Sequence, residues 1–329
     1  MAARFISPSL PAELKAAIEA KLQGLRRSEI ASRAARISQT YRGGGGSAAI
    51  RSDDDALAYA LARMPATYAA VTASLTALSE AAPDFAPKSM LDVGAGPGTA
   101  SFAAAAAFPT VKGFTLVDSN PVLRTLALDL AQGNSRLTNL TYPICDALAA
   151  IRKADAADLV IASYVMGEVG ETEQDEIVRS MWAKSAKALL IVEPGTPAGY
   201  TRIISLRAQL VAAGAHVVAP CPHDDKCPLS APDWCHFAQR LPRSRAHKQV
   251  KGAELPYEDE KFAFVSLTRE APARRPSRVL AQPVVNKAEV TAKLCTAEGL
   301  VLARIPRRNK IGYAQARRWR WGEAVTENA

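Results

Sequence analysis

Apolar positions change period along the chain, and each change marks a different kind of element. Residues 11–38 place Leu14, Ile18, Leu22 and Leu25 along one helical face and predict one or two amphipathic helices. The glycines at 43–46, followed by Ser47, end that pattern, and their backbone entropy predicts a flexible joint. Helical spacing resumes over 53–80 through Leu57, Leu61, Tyr68, Val71, Leu75 and Leu78, with Pro65 expected to divide two helices. From Met90 short apolar runs take over: MLDVGAG, FTLVDSN, LTYPICDA, DLVIASYVM and ALLIVEPG, separated by helical stretches. Runs apolar on both faces suit parallel strands covered by helices on either side. They predict a doubly wound α/β domain.

After about residue 215 the periodicity fades. Residues 219–259 are dense in Pro, Cys, His and charge and predict a long loop held by something other than an apolar core. FAFVSLT (262–268), VTAKLCTAEGLVLARI (290–305) and IGYAQARRWRW (311–321) then alternate apolar with polar positions around turn signals at Glu298-Gly299 and Arg308-Asn309. These predict a small antiparallel β element with basic loops. The expected organisation is a basic helical segment and glycine linker over 1–50, a cofactor-binding domain over 51–215, and a Cys-rich loop with a basic β extension over 216–329.

The 329 residues, 48% apolar and 22% charged, exclude a disordered, collagen-like or coiled-coil chain. Their net charge of +9 divides into +5 over 1–50, −6 over 51–239 and +10 over 240–329. Basic flanks on an acidic centre suit a phosphate-rich partner, because each neutralised phosphate releases counterions; a merely solubilising surface is the other reading. No window reaches the ~18–20 apolar residues of a membrane span, and no signal-peptide core is expected at the start. Glu13, Glu19 and Glu29 argue against a transit peptide.

The turn Asp92-Val93-Gly94-Ala95-Gly96-Pro97-Gly98 follows a predicted strand and opens a helix. Glycines suit a turn that bends tightly and passes close to a ligand. A dinucleotide fingerprint would need glycine at Thr99, which excludes it. Asp118, ending the second strand, is placed to accept ribose hydroxyls. The D-x-G-x-G-x-G order is closely similar to the first motif of class I S-adenosylmethionine-dependent methyltransferases. That resemblance implies an adenine-contacting role for Asp146, after the third strand. On the acceptor side, Tyr164 and Glu168 are candidates to line a pocket or simply to pack, and no catalytic residue is assigned.

Five cysteines in so long a chain do not form a disulfide scaffold. Cys221, Cys227 and Cys235 cluster with His223 and His236, and setting aside Cys145 as a core thiol leaves Cys295 as a fourth. Their spacing is wider than that of usual structural zinc pairs, and Pro follows Cys221 and Cys227; zinc and an iron–sulfur cluster both stay open.

ARMPATYAAV (62–71), LDVGAGPGTAS (91–101), ASYVMGEVG (162–170), LIVEPGTPAGY (190–200), CPHDDKCPL (221–229), DWCHFAQRLPRSRAHKQVKG (233–252) and FAFVSLTR (262–269) resemble the methyltransferase-like small-ribosomal-subunit assembly factor family. The resemblance runs from about residue 10 to 322. It implies a Rossmann-like class I methyltransferase sheet with N-terminal helices, and a 4Fe–4S cluster on Cys221, Cys227, Cys235 and Cys295 that ties down the small β element. It further implies binding, as a monomer, to small-subunit rRNA, in the mitochondrial matrix for a eukaryotic chain and the cytoplasm for a bacterial one. Methyl transfer is left open. The arginines of 26–36, the Arg240/Arg243/Arg245/Lys248/Lys251 group and Arg304/Arg307/Arg308/Lys310 supply charge for such a partner. Tyr313, Trp319 and Trp321 are expected either to stack on bases or to form the small element's core.

Overall fold

The computed structural model describes residues 6–325 except 138, 145 and 146, and of Ala147 only the backbone. The N-terminal pattern forms two helices, α1 (Ala12–Ala20) and α2 (Arg27–Arg42). Leu14, Ile18, Ile30 and Ile37 enter the same apolar cluster as the next pair, α3 (Asp53–Ala62) and α4 (Met64–Ala81). Ser52 caps α3 by accepting from Asp55 N–H, and three aspartates in its first turn favour the positive helix end. Pro65 sits in the first turn of α4, where its missing N–H costs nothing, so it divides the two helices as expected.

The end of the glycine run at 43–46 is tied to the fold. Gly46 is buried and opens a 3₁₀ turn, Gly46–Ala49, while Asn120 Nδ2 donates to the carbonyls of Ser47 and Ile50 at 3.1 Å each. Those long-range bonds offset the backbone entropy that four glycines carry.

A regular alternation follows: β1 (Ser89–Val93), α5 (Thr99–Ala107), β2 (Gly113–Val117), α6 (Pro121–Gln132), β3 (Leu140–Thr141), α7 (Ala147–Lys153), β4 (Ala157–Ser163), α8 (Glu171–Lys184), β5 (Ser185–Pro194), α9 (Pro197–Ala212) and β6 (His216–Ala219). Next come β7 (Phe237–Pro242), α10 (Arg245–Lys251) and β8 (Tyr257–Thr268). The main sheet runs β3-β2-β1-β4-β5-β8-β6; β1 to β5 pair in parallel, β8 is antiparallel to β5 and β6, and β7 pairs with the first half of β8. This mixed doubly wound order, with an antiparallel strand inserted next to the edge, is the methyltransferase sheet that the resemblance implied.

Two expectations for the C-terminal third need correction. FAFVSLT belongs to β8 of the main sheet, because Phe262 to Leu267 are all buried as in a central strand rather than alternating. Within 219–259 the long irregular stretch is 220–236, since β7 and α10 follow. The antiparallel element itself is present as β9 (Ser277–Val279), β10 (Val284–Val285), β11 (Glu289–Thr296), β12 (Gly299–Pro306) and β13 (Ala324–Val325). Its core is Val279, Ala292, Leu294 and Val325, with Trp319 packed against them. IGYAQARRWRW is not a strand: Asn309 accepts from Gly312 N–H and starts α11 (Lys310–Ala316).

Candidate functional site

Asp92, Gly94, Gly96, Gly98 and Asp118 meet at the carboxyl ends of β1 and β2. The N–H groups of Gly94 and Ala95 donate to Val117 O at 2.9 and 3.1 Å, folding the turn onto β2. Gly94, Gly96 and Gly98 have φ of +66°, +52° and +79°, a left-handed path that explains why glycine recurs here. Asp92 is fully buried; its Oδ2 accepts from Ser101 N–H at 3.1 Å and Ser101 Oγ at 2.8 Å, while Oδ1 has no partner. Burial pushes its pKa up to about 7 against the lowering bonds from Ser101. Asp118 accepts from Gly96 N–H through Oδ2 and from Asn120 N–H through Oδ1, both at 2.8 Å, and burial raises its pKa too. Asp146 and Cys145 lie outside the described residues.

Three contributors left little or no trace in the sequence. Ser101 holds Asp92, Tyr142 Oη donates to Gly96 O at 2.8 Å, and Asn120 both caps α6 and holds the 43–50 segment. Only Asn120 carries a local signal, since Asn-Pro is a helix-opening pair. The other two are brought in by tertiary packing.

The 43–50 segment covers these strand ends. Ser47 N–H donates to Glu168 Oε2 at 2.8 Å, and burial pushes the Glu168 pKa up to about 7. Tyr164, at φ 59°, donates to Glu260 Oε1 at 2.9 Å, and Arg63 lies 3.6 Å from the same oxygen. Both candidate acceptor-side groups are therefore bonded within the protein. Between them Val165 closes on the turn, so close that a Cβ on Gly94 would fall 2.3 Å from Val165 Cγ2.

Cys221, Cys227, Cys235 and Cys295 line one narrow cleft between α9, the 220–236 loop and β11. Tyr200 Oη donates to Cys227 Sγ at 3.3 Å, and His223 Nε2 lies 3.6 Å from Cys295 Sγ. Burial raises the thiol pKa values of Cys221, Cys235 and Cys295, the last to about 12, and the charges of neighbouring cysteines push in the same direction. Among the described residues no three His, Cys, Asp or Glu side chains form a group that could hold a metal ion as they stand, so the expected metal tie is not drawn in the structure. Two buried guanidiniums, Arg207 and Arg278, border the same cleft, each 3% exposed. Arg207 Nη2 donates to His223 O at 2.8 Å and Arg278 Nη1 to Gly322 O at 2.9 Å, while Arg207 Nε has no partner. Both bond to carbonyls, and neither makes an ion pair among the described residues.

The basic groups separate into two kinds. Arg33 and Arg36 bond Asp55 Oδ1 at 2.8 and 2.6 Å, Arg240 pairs with Asp259, and Arg243 and Lys251 pair with Glu258. Arg304, Arg307, Arg308 and Lys310 are exposed and make no ion pair among the described residues. The aromatics named as stacking faces are engaged within the protein: Trp319 packs in the small core, Trp321 meets His236 edge-on at 4.8 Å, and Tyr313 Oη donates to Asn286 O.

A sequence profile described as mitochondrial small ribosomal subunit Rsm22 matches residues 53–326. The chain belongs to the Rsm22 family. Over 82% of its length it is 28% identical to an Rsm22-cox11 tandem protein, mitochondrial, of Schizosaccharomyces pombe and 27% identical to the mitochondrial ribosome assembly protein METTL17 of Homo sapiens. It spans 43% and 62% of those two proteins' own lengths. Solved structures similar to it include a magnesium protoporphyrin IX methyltransferase from Synechocystis with bound S-adenosylmethionine, at 11% identity and TM-score 0.42, covering 79% of this chain and 98% of that one. An O-methyltransferase family protein from Burkholderia thailandensis matches at 13% identity and TM-score 0.43, covering 71% of this chain and 64% of that one. Likenesses so distant carry no functional argument; the strand order itself sets the fold.

Proposed function

We propose that this protein is an assembly factor of the small ribosomal subunit that binds its rRNA as a monomer, holds S-adenosylmethionine at the glycine turn and carries an iron–sulfur cluster on four cysteines. The observation that carries the reading is the family match over 53–326, a span that includes the cofactor turn, the cysteine cleft and the unpaired cations after β12. It would act in the mitochondrial matrix, its named relatives being mitochondrial, or in the cytoplasm of a bacterium; no described helix is long and apolar enough to cross a membrane.

For the cofactor, the fit rests on the open buried Oδ1 of Asp92, an unsatisfied acceptor beside the left-handed glycine backbone of the turn. Asp92, Gly94, Gly96, Gly98, Asp118 and Asp146 would hold it. When bound it supplies an activated methyl group, so the protein's part is positioning rather than activation. For the cluster, the donor set is four free thiols in one cleft beside Arg207 and Arg278. Buried cations call for a compensating anion, and thiolates around a cluster supply it; zinc on the same cysteines is the alternative. Cys221, Cys227, Cys235 and Cys295 would be the ligands.

The test is co-sedimentation of the full chain with small-subunit particles from cells, with depletion lowering the small-subunit pool. Absence from those particles would overturn the assembly reading. A second reading, an active rRNA methyltransferase, is favoured by the intact turn with Asp92 and Asp118 both in place. It requires that a deletion strain lose a specific methyl group from its rRNA by mass spectrometry.

A further inference from the structure

β12 leaves one side of the small sheet open. Among the described residues it pairs with β11 alone, in unbroken register from Glu289↔Pro306 to Thr296↔Gly299, so its other edge presents backbone groups that no described strand pairs. Leu300, Val301 and Leu302 on that strand are 43%, 38% and 59% exposed, and Ile311 just beyond it is 75% exposed. Opposite residues share a face: Val301 stands beside Leu294 over the small core, whereas Leu300 and Leu302 stand beside Cys295 and Lys293 on the other face. The apolar groups thus flank the edge on both sides.

Edges of this kind are normally protected by charge, proline or a bulge, and 300–302 has none of them. Charge begins only afterwards, with Arg304, Arg307, Arg308 and Lys310, exposed and unmatched by any carboxylate among the described residues. We propose that β12 is a docking strand for an extended segment of another protein, which adds a strand to the edge, seats alternate apolar side chains against Leu300, Val301 and Leu302, and places acidic residues against Arg304, the exposed cation within the strand. A row of main-chain groups with branched apolar side chains selects polypeptide over RNA, because base stacking needs aromatic faces and Tyr313, Trp319 and Trp321 are engaged internally. The inference goes beyond the RNA-binding reading and does not depend on cofactor or cluster.

The experiment places p-benzoylphenylalanine at 302 in the full chain, irradiates cells and identifies the cross-linked residues by mass spectrometry. The expected product joins residue 302 to a segment of a second protein with alternating apolar residues flanked by Asp or Glu. Cross-links to RNA, to a second copy of this chain, or none above the unirradiated control overturn the proposal. A synthetic peptide of that segment should then bind Leu302→Glu about tenfold more weakly, because the substitution sets a carboxylate against an acidic, apolar strand. Val301→Pro, which removes an edge N–H or distorts the strand, should weaken it similarly; unchanged binding by Leu302→Glu, with the native melting curve, also overturns it. A cross-linked protein foreign to the small subunit would support docking while counting against the ribosomal reading. Co-sedimentation without any cross-link would do the reverse.

Discussion

Asp92 keeps one oxygen bonded to Ser101 and the other bare, so burial governs its ionisation. Its folded pKa of about 7 lies above the ordinary 3.8, so between those values the folded protein holds a proton that the unfolded chain has released. Stability therefore falls as pH rises across that window and is level above it. Asp92→Asn removes the Asp92 part of the slope, leaving that of Glu168 and Asp118: thermal melts at pH 8 should show a gain of up to about 4 kcal/mol, while calorimetric binding of S-adenosylmethionine weakens at least about tenfold. Gly94→Ala should act in the opposite sense, destabilising the fold by about 2–4 kcal/mol in urea titrations, because its Cβ meets Val165 and its φ is positive. Adding Val165→Ala should restore only the part due to the clash. The glycines and Asp118 were legible because a turn between a strand and a helix is a local pattern. Ser101, Tyr142, Arg207 and Arg278 were not, since each acts on a residue that only tertiary packing brings near.

The 43–50 segment shows how an element's role can invert its composition. Four glycines favour disorder in isolation, yet Glu168 and Asn120 bind the backbone of Ser47 and Ile50 from two different inter-strand loops. Glu168→Ala should raise hydrogen exchange across 43–50 by about tenfold while leaving β1 and β4 protected, as expected for a local opening. Periodicity misread FAFVSLT for the same underlying reason: a strand buried on both faces and a half-buried one differ in their neighbours more than in their own letters. The cysteine loop is the counterpart case: composition predicted a long irregular stretch, and 220–236 is one, its cysteines sharing a cleft with Cys295. Ligands contribute folding energy where they bind, so removal of iron or zinc by a chelator, or Cys227→Ser, should open 220–236 to proteolysis with cofactor binding kept. Equal loss of both would contradict the proposed separation of the cluster from the cofactor turn.

Across the whole molecule, a net charge of +9 says less than the placement of the acids. Arg33 and Arg36 converge on Asp55, whose side chain is 5% exposed; burial raises the carboxyl's pKa, but Arg33 and the backbone bond from Arg51 bring it below the ordinary value. Those arginines belong to the fold, and replacing both with alanine should lower the melting temperature by several degrees, because a buried carboxylate loses its two cationic partners. Arg307 and Arg308 have no such duty. Arg307→Glu with Arg308→Glu should leave the melting curve unchanged, weaken binding to small-subunit rRNA, and flatten the dependence of log K on log salt by about 0.7–0.9 for each phosphate that the protein no longer neutralises. Fluorescence anisotropy over a salt series reads both quantities. A flattened slope on the N-terminal pair and none on the C-terminal pair would reverse the assignment, placing the RNA on α2 and leaving β12 and its arginines entirely to a protein partner.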